Sequence, residues 1–190
     1  MTKTPNLLSL LFSCSYLSGL GGFDLHLKLL PDVELLNTGL DDPAQDELGP
    51  TMVSALAATA ATLKEKQKRL KALILTNPHN PTGRCYSTDV LKSMAEFCQD
   101  HNIHLIVDEI YAMSRCREAH INIQGFKSFL SIDLQSIGVD LARVHIIWGT
   151  SKDFGSSGIR MVWLPLENTS GDRLIQSRAV LCHRITHHYV

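Results

Sequence analysis

The stretch Ala72-Leu73-Ile74-Leu75-Thr76-Asn77-Pro78-His79-Asn80-Pro81-Thr82-Gly83 decides how the rest of the chain is read. Its four leading apolar residues have the length and character of a strand buried on both faces. Two X-Pro pairs and a glycine then stop the strand, because proline brings no N–H to a sheet ladder. A short buried strand ending in a polar turn of special geometry is the result.

The same form recurs downstream. Ile103 to Val107 is a second buried-type strand and ends in Asp108-Glu109-Ile110-Tyr111; Val144 to Trp148 is a third and runs into Gly149-Thr150-Ser151-Lys152-Asp153-Phe154-Gly155. Ile159 to Leu164 reads as a fourth. Between the first two, Ser87 or Thr88 caps a helix whose Val90, Leu91, Met94, Ala95 and Cys98 share one apolar face ending near Asn102. Upstream, Thr51 to Leu70 places Met52, Leu56, Ala60, Leu63 and Leu70 at near-helical spacing and closes on the basic run Lys64 to Arg69, which suits the negative end of a helix dipole. Leu7 to Phe12 reads as a buried strand or a helix turn, and Arg115 to Leu141 as an irregular connection with helical turns. Alternating helix and strand periods predict an α/β fold with a mostly parallel, helix-flanked sheet. In such sheets ligands bind at the carboxyl ends of the strands, so the three polar clusters are expected to converge.

Composition narrows the function. The chain has 190 residues, 44% of them hydrophobic, enough for a substantial core. Eighteen Lys and Arg against 19 Asp and Glu give a net charge of −1, which argues against a nucleic-acid partner. The run Lys64 to Arg69 reads as a solvated helix end rather than a nucleic-acid or membrane patch. Lys3 before Leu7 to Phe12 only weakly imitates a signal peptide, and no stretch has the length of a membrane span, so no membrane association is expected. Five scattered cysteines, at 14, 85, 98, 116 and 182, contain no C-x-x-C pair; a reducing, cytoplasmic setting is expected. His183 and His187 lie at i and i+4 with His188 adjacent, but without the acid of H-E-x-x-H they read as a surface cluster, and no metal is expected.

The clusters themselves suggest a chemistry. Lysine amines condense with carbonyls once their surroundings lower the pKa, and Lys152 sits in a loop directly after a strand. Asp108, at the end of another strand, would hold a protonated pyridine nitrogen; Tyr111 and Asn80 would donate to a ring oxygen; Arg160 offers a fork for phosphate. Pyridoxal phosphate requires that combination. Singly, each residue has an ordinary explanation: Asp108 as a cap or turn residue, Lys152 as an exposed loop lysine, His79 as a loop histidine.

Together, N-P-H-N-P-T-G, V-D-E-I-Y and S-K-D-F-G-S-S-G-I-R resemble, in order and spacing, the large domain of fold-type I pyridoxal-phosphate enzymes of the class I/II aminotransferase superfamily. S-K-D-x-G, with G-F-D-L at Gly22 to Leu25, looks closest to the 1-aminocyclopropane-1-carboxylate synthase-like branch. The resemblance implies that Lys152 carries the cofactor as a Schiff base and shuttles the α proton. It implies that Asp108 keeps the ring nitrogen protonated, that Asn80 and Tyr111 bond the phenolate oxygen, with Tyr111 helping to tune the lysine, and that Ser151 and Arg160 bind the phosphate.

The resemblance covers about residues 20–164, leaving 1–19 and 165–190 as divergent segments around a partial large domain. Nothing matches the family's first strand and glycine-rich phosphate turn, its aromatic platform, or its small domain with the carboxylate-binding arginine. Gly149 stands where many members have a phosphate-binding serine. Leu7 to Phe12 is a candidate for one central strand. The expected activity is transformation of an α-amino acid by an aminotransferase or aminocyclopropane-carboxylate-synthase-like enzyme, with a carbon–sulfur lyase as a related outcome. The other reading is a truncated, noncatalytic remnant. The family's dimers imply a homodimer, or association with a full-length relative.

Overall fold

A computed structural model of the chain describes residues 8–12, 33–37, 46, 48–80, 82–114, 125–159, 161–166 and 176–181. Along the chain run strands β1 (Leu8–Phe12) and β2 (Val33–Asn37), helix α1 (Pro50–Glu65), strand β3 (Arg69–Thr76), helix α2 (Thr88–Asp100), strands β4 (His104–Asp108) and β5 (Val144–Gly149), the short helix α3 (Thr150–Asp153), and strands β6 (Met161–Leu166) and β7 (Gln176–Leu181). Three 3-10 turns, Phe129–Ser131, Gln135–Ile137 and Leu141–Arg143, punctuate the connection to β5.

The strands form one sheet in the order β2-β1-β3-β4-β5-β6-β7. The first five are parallel; β6 and β7 are antiparallel additions at one side. The α/β, mostly parallel architecture is therefore present. Of the segment Leu7 to Phe12, the described residues Leu8–Phe12 form a strand inserted between β2 and β3. Gln176–Leu181, within the stretch expected to diverge, pairs along the whole of β6.

Register explains the core. Leu73 pairs with Leu105 and Leu75 with Val107, while Val107 pairs with Ile146 on β5. Paired residues in a sheet share a face, so these side chains form one apolar surface. Met52, Leu56, Ala60 and Leu63 of α1 and Val90, Leu91, Met94 and Cys98 of α2 cover it, with Phe129 and Ile132 from the 3-10 segment completing one cluster. Cys98 behaves there as a small hydrophobe, its thiol pushed up to about 12 by burial.

The helix expected from Thr51 to Leu70 ends earlier, at Glu65. Gln67 adopts a left-handed φ of 56° and the Lys68 N–H closes back on the Leu63 carbonyl at 2.9 Å, a Schellman-type stop. Leu70 therefore belongs to β3, and Lys68 pairs with Glu34 of β2 at 2.6 Å. Helix α2 ends the same way: Asn102 has φ 56° and the Ile103 N–H reaches the Cys98 carbonyl at 3.0 Å. At its start, Ser87 Oγ accepts from the Val90 N–H at 3.2 Å, so Ser87 is the cap. Both helices pass directly into the next parallel strand through a left-handed residue. Glutamine, unlike glycine or asparagine, gives little sequence warning of that conformation.

Gln67→Gly should therefore stabilise the chain by about 0.5–1 kcal/mol, because glycine takes the left-handed geometry without Cβ strain. Asn102→Gly should gain less. Urea unfolding midpoints test this; a lowered midpoint for Gln67→Gly would contradict the account of the helix stop.

Candidate functional site

The carboxyl ends of β3, β4 and β5 are stitched together by backbone hydrogen bonds. Asn77 N–H donates to the Asp108 carbonyl at 2.9 Å, and Glu109 N–H donates to the Ile147 carbonyl at 2.8 Å. The three polar clusters, far apart in sequence, thus begin side by side.

The turn after β3 is held from within. Asn77 is fully buried, its Oδ1 accepting from Tyr86 N–H at 3.2 Å and its Nδ2 reaching the Lys127 carbonyl at 3.5 Å. His79 is buried rather than set in an open loop; its Nδ1 lies 2.9 Å from Thr82 Oγ1 and its ring meets Tyr86 edge-on. Gly83, at φ +68°, lets the Gly83 N–H return to the His79 carbonyl at 2.7 Å. This frame presents Asn80, whose Nδ2 is 3.5 Å from Tyr111 Oη. Both groups can donate to an oxygen acceptor placed between them.

After β4 come two buried acids with different roles. Glu109 is satisfied: it accepts from Ser128 Oγ at 2.7 Å and Phe129 N–H at 2.6 Å, tying the 3-10 segment to the strand end. Burial raises its pKa, those two hydrogen bonds oppose the rise, and the neighbouring Asp108 adds to it. Asp108, 6% exposed, accepts among the described residues only the Ile110 N–H, at 3.0 Å. No cation among the described residues pairs with it. Burial pushes its carboxyl up to about 6, against the Ile110 hydrogen bond.

After β5, Lys152 lies exposed in α3, and Ser151 beside it is half-buried. Among the described residues nothing bonds the Lys152 ammonium. Thr150 Oγ1, at the junction of β5 and α3, is buried without a hydrogen-bond partner among the described residues. Asp153 joins this segment to the turn after Tyr111, accepting from Met113 N–H at 3.0 Å, Ser114 Oγ at 2.5 Å and Trp148 Nε1 at 2.9 Å.

Asn80 and Tyr111 are thus in direct reach, Asp108 starts the turn that carries Tyr111, and Lys152 is linked to that turn through Asp153. Ser151 makes no hydrogen bond to any of them. Arg160 lies outside the described residues, as do Gly22 to Leu25, Cys14, Cys116, Cys182 and the histidines at 183, 187 and 188. Sequence reasoning passed over Asn77, Glu109 and Asp153. Asn77 and Glu109 each directly follow a strand end already singled out, and Asp153 directly follows the lysine. Among the described residues there is no cluster of three or more His, Cys, Asp or Glu able to hold a metal ion, and no helix is long and apolar enough to cross a membrane. An open cavity of about 690 Å³, lined by Lys64, Arg69, Asp100 and His101, lies at the amino end of β3, away from this site.

The profile of the family "Aminotransferase class I and II" matches residues 46–180. The chain is 38% identical over 140 residues to the trimodular acetylaranotin synthesis protein of Aspergillus terreus, covering 74% of this chain and 16% of that one. It is likewise 38% identical over 147 residues to the human "probable inactive 1-aminocyclopropane-1-carboxylate synthase-like protein 2", covering 74% and 24%. Among solved structures, a PLP-bound putative aminotransferase from Clostridium difficile matches at TM-score 0.56 and 22% identity, covering 85% of this chain and 36% of that one. A PLP-bound C-S lyase from Staphylococcus hominis matches at TM-score 0.58 and 20% identity, covering 88% and 36%. Both share the fold. The match spans a quarter or less of these two relatives and about a third of the solved chains.

The titration of Asp108 gives a stability test. Its carboxyl holds a proton more tightly in the fold, at about 6, than at its ordinary 3.8, so its contribution favours the fold below the lower value and is lost as pH rises through the higher. Asp108→Asn removes that loss, keeps an acceptor for Ile110 and relieves Glu109. At pH 8 it should stabilise the chain by on the order of 2–3 kcal/mol, and at pH 4 by far less. Urea unfolding of both proteins at the two pH values measures the difference; equal effects at both would contradict the burial argument.

Proposed function

The chain belongs to the class I and II aminotransferase family, and we propose that it binds pyridoxal phosphate at the carboxyl ends of β3, β4 and β5 as part of an enzyme acting on an α-amino acid. Pyridoxal phosphate is the cofactor of this family. The observation that carries the reading is Asp108: a carboxyl buried at a strand end, raised to about 6 and lacking a cation among the described residues. An isolated buried acid destabilises a fold, and a protonated ring nitrogen is the kind of partner that offsets the cost.

The remaining donors fit the same group. When bound, pyridoxal phosphate supplies an electron sink for negative charge developing at the substrate α carbon. Asp108 holds the proton on the ring nitrogen, which keeps that sink effective. Asn80 Nδ2 and Tyr111 Oη are 3.5 Å apart, and both would donate to the phenolate oxygen. Ser151, with Arg160, is assigned to the phosphate. Lys152 would be the attachment point, its amine would take the α proton and return it, and the Tyr111 hydroxyl would help to set its basicity.

These roles are common to several outcomes. Transamination is placed first, in line with the family; an aminocyclopropane-carboxylate-synthase-like reaction and carbon–sulfur bond cleavage use the same residues. The substrate is an α-amino acid, the setting cytoplasmic, and the assembly a homodimer or a complex with a longer relative. A noncatalytic role is the second reading, favoured by the name of the human relative, "probable inactive".

The test is incubation with pyridoxal phosphate, borohydride reduction and peptide mapping. The expected result is a stable pyridoxyl label at Lys152 far above that on other lysines, absent in Lys152→Ala. Asp108→Asn should weaken the affinity about tenfold or more, the scale of a lost buried charge pair. A folded chain whose label is spread evenly over its lysines would overturn the reading. Selective labelling with no spectral response to any amino acid would favour the noncatalytic role.

A further inference from the structure

We propose that Asp153 is a positioning residue whose carboxylate clamps the Lys152 segment to the Tyr111 turn and so fixes where the Lys152 amine stands. The inference rests on the cofactor reading above and adds a part to that site.

The geometry gives Asp153 three donors from two separate segments. Oδ2 accepts from Met113 N–H at 3.0 Å and from Trp148 Nε1 at 2.9 Å, and Oδ1 accepts from Ser114 Oγ at 2.5 Å. Met113 and Ser114 follow Tyr111 in the turn after β4; Trp148 is in β5; Asp153 itself ends α3, one residue beyond the lysine. A single side chain therefore crosses between the end of β4 and the end of β5. The backbone bond from Glu109 N–H to the Ile147 carbonyl joins the same two strands where they leave the sheet. Beyond that point, Asp153 supplies the cross-links found among the described residues.

The need for a clamp follows from the shape of the segment. Helix α3 is four residues long, and a single turn has little stability of its own. Lys152 is exposed and makes no hydrogen bond through its ammonium among the described residues, so its position follows that of the α3 backbone. The ring of Phe154, the residue after Asp153, also meets the Trp148 indole edge-on at 6.2 Å, so this segment contacts Trp148 twice. All three contacts are donors into one carboxylate, the arrangement in which hydrogen bonds are strongest. Without it, the α3 turn and the Tyr111 turn are free to separate, and misplacement of a reacting group by about 1 Å costs up to a hundredfold in rate.

The experiment uses the 190-residue chain and compares the initial rate of pyridoxyl labelling at Lys152 with that at Lys64, an exposed lysine of α1, by borohydride trapping and mass spectrometry. In this assay the lysine amine adds to the aldehyde with loss of water, and borohydride hydride reduces the resulting C=N bond to a stable secondary amine. Asp153→Ala should lower the Lys152-to-Lys64 ratio about tenfold. Asp153→Asn keeps an oxygen for Met113 and Trp148 and should retain the ratio within about twofold. Ser114→Ala removes one donor and should lower it about threefold; it takes the place of Asp153→Ala if that variant shows no cooperative unfolding.

A loss of thermal stability alone does not change a ratio measured on folded protein, so a merely structural role leaves it unmoved. An undiminished ratio in folded Asp153→Ala, or an Asp153→Asn variant as impaired as Asp153→Ala, overturns the clamp while the cofactor reading stands. A wild-type chain that labels Lys152 no faster than Lys64 overturns the cofactor reading, and the clamp with it.

Discussion

The parallel register of β3, β4 and β5 is the constraint on which the site depends. Thr76 is aligned with Asp108, and Asp108 with Ile147, so β3 and β4 end at one level beside β5, which runs two residues further to Gly149. The bonds from Asn77 N–H and Glu109 N–H carry that alignment one residue past the sheet. A slip of one residue would turn Asp108 onto the other face and set Leu73, Leu75, Leu105 and Val107 against their partners on α1 and α2. The apolar core therefore fixes the placement of the polar ends: the same alternation that buries Leu105 and Val107 puts Asp108 where it stands.

The cost of that placement is visible in Asp108. Proteins bury few carboxyls without a partner, and this one is pushed to about 6, with a single backbone N–H for support. Glu109, one residue on, is equally buried and well satisfied by Ser128 and Phe129. The contrast separates a well-satisfied acid from one without a cation among the described residues, and under the proposed cofactor role activity and stability would pull in opposite directions at Asp108.

Much of this was legible in the sequence because the signals were local. Apolar runs of strand length, proline and glycine stops, and the Ser87 cap each act over a few residues, and α2 and strands β3 to β6 appear close to their expected places, whereas the Lys152 segment, expected as a loop, is the helical turn α3. The end of α1 was not legible, since the left-handed turn falls on Gln67 rather than on glycine or asparagine. Nor was the antiparallel addition of β7, whose pairing with β6 is a tertiary choice that no periodicity announces. Among the candidate site residues, Lys152, Asp108, Asn80 and Tyr111 were singled out because their chemistry is distinctive and their spacing matches a family. Asp153 was missed because its role lies in what it joins, Met113, Ser114 and Trp148, and that is a property of the folded chain alone.

The central claim is that Asp108 is kept buried for a cation supplied by the bound cofactor. Its most direct test is a carboxyl titration of Asp108, followed by carbon-13 NMR of aspartate-labelled protein, with and without pyridoxal phosphate. Alone, the group should titrate near 6; with the cofactor bound, pairing with the protonated ring nitrogen should drive it below the ordinary carboxylate range. A titration near 6 that does not move when the cofactor binds would contradict the account.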